Sequence, residues 1–207
     1  MKTLKQIEST PQKGLQKRAQ KTRQKIIDSS FQLFSTKGYQ NVTVDDIAKN
    51  AGVSTGAAYR YFGNKKEILL VLLEDVFNNK QFIAEIKDIP SSLTTYQECV
   101  TWILDCFVEI HEKYVGFHEE LEALRHLDQD VQKLYMQCED KEIDFLLAAI
   151  EKRTGKKLTQ GKDRVRVMLK CIEDYCNMII VEDIIVGDKE FIKQKCIQAA
   201  TSVLEVN

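Results

Sequence analysis

From about Gln16, the apolar residues Ile26, Ile27, Phe31, Leu33 and Phe34 recur at helical spacing, and Gly38 follows as a stop signal. Two much shorter helical patterns come next. Thr43-Val-Asp-Asp46 is a variant of the capping box and opens a helix to about Asn50, which Gly52 breaks. Ser54 caps a second one, running to about Tyr61. Asn64, with Glu67 three positions on, opens a long amphipathic helix through Leu69, Leu72, Leu73, Val76 and Phe77, and Pro90 marks the next clear break. Beyond it the periodicity predicts helices over about 93–113, 116–127 and 129–153, then about 161–186 and about 189–204. Residues 1–15 contain Pro11 and Gly14 and no apolar period, and are expected to form a flexible basic arm. The chain is therefore expected to be all-α, with about nine helices. Its anticipated divisions are the arm, a three-helix domain over 16–66 and a larger helical bundle over 67–207.

Composition agrees with long helices and short joints, since only nine glycines and two prolines occur in 207 residues. No apolar run approaches the roughly 18–20 residues of a membrane span. The most apolar stretch, Met178 to Val186, is interrupted by Glu182 and Asp183. The first ten residues lack the apolar core of a signal peptide. The six cysteines are scattered without a CxxC pair, so reduced thiols in a cytoplasmic protein are expected.

Charge changes the picture. Residues 1–66 hold 13 Lys and Arg against 4 Asp and Glu, a net +9, whereas residues 67–207 hold 17 against 27, a net −10. A basic head on an acidic body suits a polyanion partner for the head; the plainer alternative is a solvated basic tail.

The segment between Thr43 and Phe62 decides between them. Two helices of roughly two turns each bury little alone and make sense crossing a longer helix, as in a helix-turn-helix. At 100° per residue, Ala58 and Phe62 share an inward face with Val53, the plug behind the turn. Thr55, Gly56, Ala57, Tyr59 and Arg60 then point outward, with Tyr61 at the edge. Small residues at a helix start permit close approach to a major groove, and Tyr and Arg beyond them can reach flanking phosphates. Lys65 and Lys66 oppose the dipole of the next helix, a misfit that a bound phosphate would turn into cooperation. The competing reading is an aromatic cluster at a domain junction beside two solvated lysines.

These residues resemble the TetR/AcrR family of bacterial transcriptional regulators. The matching run is Ile26-Ile27, Phe31, Leu33-Phe34, Gly38-Tyr39, Val42-Thr43-Val44, Ile47-Ala48, Ala51-Gly52-Val53-Ser54, Gly56, Tyr59, Tyr61-Phe62, Asn64-Lys65 and Glu67, spread over about residues 18–70. Ser29-Ser30 depart from the usual alanines and Ala57 from a frequent threonine. The resemblance implies a homodimer with two DNA-reading heads, each C-terminal domain holding a pocket for a small effector whose binding releases the operator. It implies that Thr55, Gly56 and Ala57 face bases. Tyr59, Tyr61 and Lys65 would grip phosphates, with Thr43 assisting. Arg60 joins them on geometry.

Residues 87–207 carry no quotable motif. Extending the family's four-helix dimer bundle gives Met168, Ile172, Tyr175, Ile179, Ile192, Cys196, Ala199, Ala200 and Val203 as dimer candidates; the alternative is that these helices pack only within their own subunit, or that the 161–186 stripe does both. Aromatics and polar groups on the middle helices give pocket candidates: Trp102, Cys106, Phe107, Tyr114, Phe117, His118, Tyr135 and Met136. Aromatics at such spacing are more often ordinary core residues. His111 and His118 share a face but lack a zinc spacing, and Cys99 and Cys106 have the apolar neighbours of inert thiols. No catalytic motif stands out, no cofactor or metal is expected, and the remaining alternative is a non-specific architectural DNA-binding protein.

Overall fold

The computed structural model describes residues 11–78, 89–181 and 187–205. Among these, eight α-helices and one π-helical segment form two compact units that divide between Leu72 and Leu73.

The first unit contains α1 (Pro11–Lys37), α2 (Val44–Ala51), α3 (Thr55–Tyr61) and the start of α4 (Lys65–Asn78). Helix α1 starts earlier than expected and takes in residues 11–15; residues 1–10 of the anticipated arm lie outside the described residues. Its core is Ile26, Ile27, Phe34, Ile47, Ala48, Ala58, Phe62 and Ile68, all at most 3% exposed. Helix α2 has the full capping box: the Thr43 hydroxyl accepts from Asp46 N–H, and the Asp46 carboxylate accepts from Thr43 N–H. Gly52 ends α2 at φ 66°, a left-handed conformation that nothing but glycine adopts without strain here. Ser54 caps α3 through Ala57 N–H at 3.2 Å, and Asn64 receives Glu67 N–H at 2.9 Å. Val53, expected as a buried plug, is only half-buried.

The second unit is built from α5 (Tyr96–Leu127), α6 (Gln129–Thr154), α7 (Gly161–Cys176) with its π-helical continuation Asn177–Val181, and α8 (Lys189–Glu205). Here the sequence expectation of two helices over 93–113 and 116–127 is corrected: α5 is one helix of 32 residues, with Gly116 inside it. A glycine costs a helix roughly 1 kcal/mol. The stripe of buried residues Ile110, Phe117, Leu121 and Leu124 continues across it, and that burial outweighs the penalty. Asp128 serves both as C-cap of α5 and N-cap of α6. Helices α7 and α8 pack side by side, and both rest on α5. At the start of α7, a Cβ on Gly161 would lie 2.6 Å from a terminal methyl of Leu147, so a larger residue there would have to displace that side chain of α6. The expected helix to residue 186 turns π-helical at Asn177, and residues 182–186 lie outside the described residues. No helix among the described residues is long and apolar enough to cross a membrane.

Candidate nucleic-acid interface

Helix α3 has seven residues, and its buried anchors are Ala58 (0% exposed) and the capping Phe62 (3%). Thr55, Gly56 and Arg60 are exposed, Tyr59 is 51% exposed, and Ala57 and Tyr61 are half-buried at the rim. The structure thus brings six of the eight candidate DNA-contacting residues onto one short helix whose outer face does nothing for the core. Open space surrounds the Gly56 Cα, so a close-approaching surface would meet only backbone there.

The other two candidates are already engaged. Thr43 is exposed, but its hydroxyl is tied to Asp46, which holds that carboxyl below the ordinary aspartate value. Lys65 reaches back across the sequence: its ammonium donates to the carbonyls of Tyr39 at 2.7 Å and Val42 at 2.8 Å, and lies 4.2 Å from the centre of the Tyr39 ring. A cation at the start of α4 therefore has a purpose inside the subunit. It ties the α1–α2 connection to α4, a pairing 23 to 26 residues apart that no local pattern announces.

Two further features are absent from the sequence expectations. Ser29, buried at 4%, donates to the carbonyl of Ile47 at 2.9 Å and accepts from the Asn50 amide at 3.0 Å, locking α1 to the end of α2. Lys17, Lys21 and Lys25 stand exposed at i, i+4 and i+8 on α1, extending the positive charge of this unit along one helix face. Their i, i+4 spacing is a signal the sequence does contain, masked by the basic arm that runs into them.

In the second unit the pocket candidates do not form one constellation. Phe107 and Phe117 are buried. His118 bonds Asn177 and faces His111, with ring centroids 4.4 Å apart. Trp102 lines an open cleft of about 530 Å³ with Thr95, Glu98 and Asp105. Tyr135 sits under the Arg125 guanidinium at 4.3 Å, and burial raises its hydroxyl above the ordinary tyrosine value. Met136 is 53% exposed, Cys106 is half-buried, and the Tyr114 side chain lies outside the described residues. Burial pushes the Cys176 and Cys196 thiols up to about 12 and about 11, and raises that of Cys99, the opposite of reactive cysteines.

The dimer stripe needs correction. Met168, Ile172, Tyr175 and Ala200 are at most 7% exposed in the subunit's own core, because an apolar period marks what is buried and not which body buries it. Ile179, Ile192 and Cys196 are half-buried against that same core, and Val203 is half-buried. Outward on α7 and its continuation, one position before the expected stripe, stand Val167 (49% exposed), Asp174 and Met178 (41%), with Cys171 half-buried between them, while Ala199 is exposed on α8.

The profile of the bacterial regulatory proteins of the tetR family matches residues 26–72, the segment that builds this interface. The biofilm-operon negative transcriptional regulator IcaR of Staphylococcus epidermidis is 33% identical over 101 residues, 48% of this chain and 52% of its own. The transcriptional regulator SrpR of Pseudomonas putida is 44% identical over 55 residues, 27% of this chain and 26% of its own. The chain thus spans about half the length of IcaR, and about a quarter of SrpR. Among solved structures, a TetR-family regulator from Syntrophomonas wolfei superposes with TM-score 0.67 at 24% identity over 91% of this chain and 99% of that one. One from Mesorhizobium loti gives 0.73 at 13% identity over 90% and 96%. These two likenesses concern the fold. The matched module and the helix-turn-helix geometry make residues 26–72 similar to the bacterial regulatory proteins of the tetR family, in a chain whose fold is like that of the two solved regulators.

Proposed function

We propose that this chain is a sequence-specific DNA-binding transcriptional regulator that acts as a repressor and leaves its operator when a small molecule binds the second unit. The observation that carries the DNA-binding part is the outward face of α3. Thr55, Gly56, Tyr59 and Arg60 are displayed to solvent on a helix whose buried anchors are Ala58 and Phe62. In this reading the start of α3 enters the major groove, Tyr59, Arg60 and Tyr61 reach phosphates, and Lys17, Lys21 and Lys25 add positive charge along the backbone. Lys65 and Thr43 hold the frame of the reading head through the bonds described above. Repression is supported by IcaR, a negative regulator by its name.

The regulator works as a homodimer, because two heads reading two half-sites multiply the selectivity of one. The exposed residues Val167 and Met178 of α7 and its continuation, with Ala199 of α8, are the surface offered for pairing. The test is selection of genomic fragments by the purified full chain, followed by titration of the recovered duplex against scrambled duplex. A preference of about a thousandfold or more supports the reading. Equal affinity for every duplex makes the protein an architectural DNA binder instead, and no binding at low salt ends the proposal.

A further inference from the structure

His111, on α5, is 5% exposed, and its Nδ1 lies 2.8 Å from the carbonyl oxygen of Phe107 one turn earlier. A carbonyl can only accept, so Nδ1 carries the proton and Nε2 presents a lone pair. That Nε2 is shut off from solvent, and among the described residues no group hydrogen-bonds to it. A buried acceptor left this way is destabilising until a donor reaches it. The surroundings are specific. The Phe107 ring stacks on His111 with centroids 6.2 Å apart, and His118, one heptad along α5, approaches to 4.4 Å. The His118 Nε2 is in turn 2.9 Å from the side-chain oxygen of Asn177, the first residue of the π-helical segment. Widened turns of this kind concentrate at functional sites.

We propose that the His111–His118 pair recognises a neutral ligand with a hydroxyl group on an apolar body, a phenol or an alcohol, which donates to His111 Nε2. This rests on the effector reading above and supplies the chemistry of the effector. Other classes fit less well. A carboxylate or phosphate brings acceptors and would need an imidazolium. Burial, followed by the neighbouring His118, holds His111 down to about 4, so the ring is neutral through the physiological range. An ammonium would be buried against two imidazoles whose hydrogen bonds go to a carbonyl and a carboxamide, not to a carboxylate. A hydrocarbon or an ether leaves Nε2 as it is. A metal is disfavoured too, for among the described residues no third His, Cys, Asp or Glu completes a ligand set. A ligand seated here reaches Asn177 through His118, and so acts on the junction where α7 turns π-helical.

The experiment uses the full chain labelled with ¹⁵N and follows the imidazole nitrogens while phenol is titrated in, then anisole, which has the same ring and no donor. The expected result is a shift of the His111 Nε2 resonance with phenol and not with anisole, and about tenfold or greater preference for phenol. In His111→Phe the two probes should bind equally. The comparison in the unsubstituted chain stands even where that variant does not fold. An equal response to both probes, or no response to either, assigns Nε2 to a buried water and overturns the proposal. DNA is absent from the readout, so failure here leaves the regulatory reading intact, and failure of DNA binding leaves this site to be judged alone.

Discussion

Lys65 shows how much one side chain can carry. Its ammonium supplies the donors for the Tyr39 and Val42 carbonyls in the α1–α2 connection. Lys65→Met keeps the stem and removes those donors, so thermal unfolding should show the DNA-binding unit destabilised by about 1–3 kcal/mol. An unchanged melting temperature would remove Lys65 from the frame of the head. Glu142 is a second case. Its Oε1 is buried without a hydrogen-bond partner among the described residues, and burial, then Glu173 and Glu139, push its carboxyl from 4.5 up to about 8 against the pull of Lys170. The folded state keeps a proton that the unfolded chain sheds near 4.5, so the associated stability is complete below that value and disappears as pH climbs through 8. Melting temperatures taken from about pH 5 to about pH 9 should fall more steeply for the parent chain than for Glu142→Gln. Parallel curves would refute the assignment.

At the scale of elements, the legible parts are those whose causes are local. Thr43, Ser54 and Asn64 announce three helix starts within a few residues of the bonds they make, and Gly52 announces its turn. The α3 face follows from counting angles. What stays hidden depends on distant partners: the Lys65 tie, the Ser29 bond to α2, and the burial that carries α5 through Gly116. Four of the nine dimer candidates, Met168, Ile172, Tyr175 and Ala200, turn inward for a related reason, since Met168 and Val167 differ by 100° around one helix and only packing says which faces inward. The two positions should respond differently. Met168→Ala opens a core cavity and should cost about 2–5 kcal/mol by denaturant unfolding. Val167→Glu should leave the subunit folded and shift sedimentation from dimer to monomer. A Val167→Glu protein that still sediments as a dimer would move the pairing surface elsewhere.

The molecule as a whole divides its charge, +9 over residues 1–66 and −10 over the remainder. For a polyanionic partner this gives attraction at one unit and repulsion at the other, so a duplex is oriented by the field before any base is read. Binding should therefore weaken steeply with salt. With Arg60→Ala, the slope of log affinity against log salt should become shallower by about one, the value of a single neutralised phosphate. A slope that does not move would take Arg60 off the backbone.

The brevity of α3 has a consequence for how such proteins diversify. With Ala58 and Phe62 as its buried anchors, the exposed positions Thr55, Gly56, Tyr59 and Arg60 can be exchanged without removing a core side chain. On the proposed function, copies of a gene with this design can drift toward new target sequences one exchange at a time while the second unit is inherited unaltered.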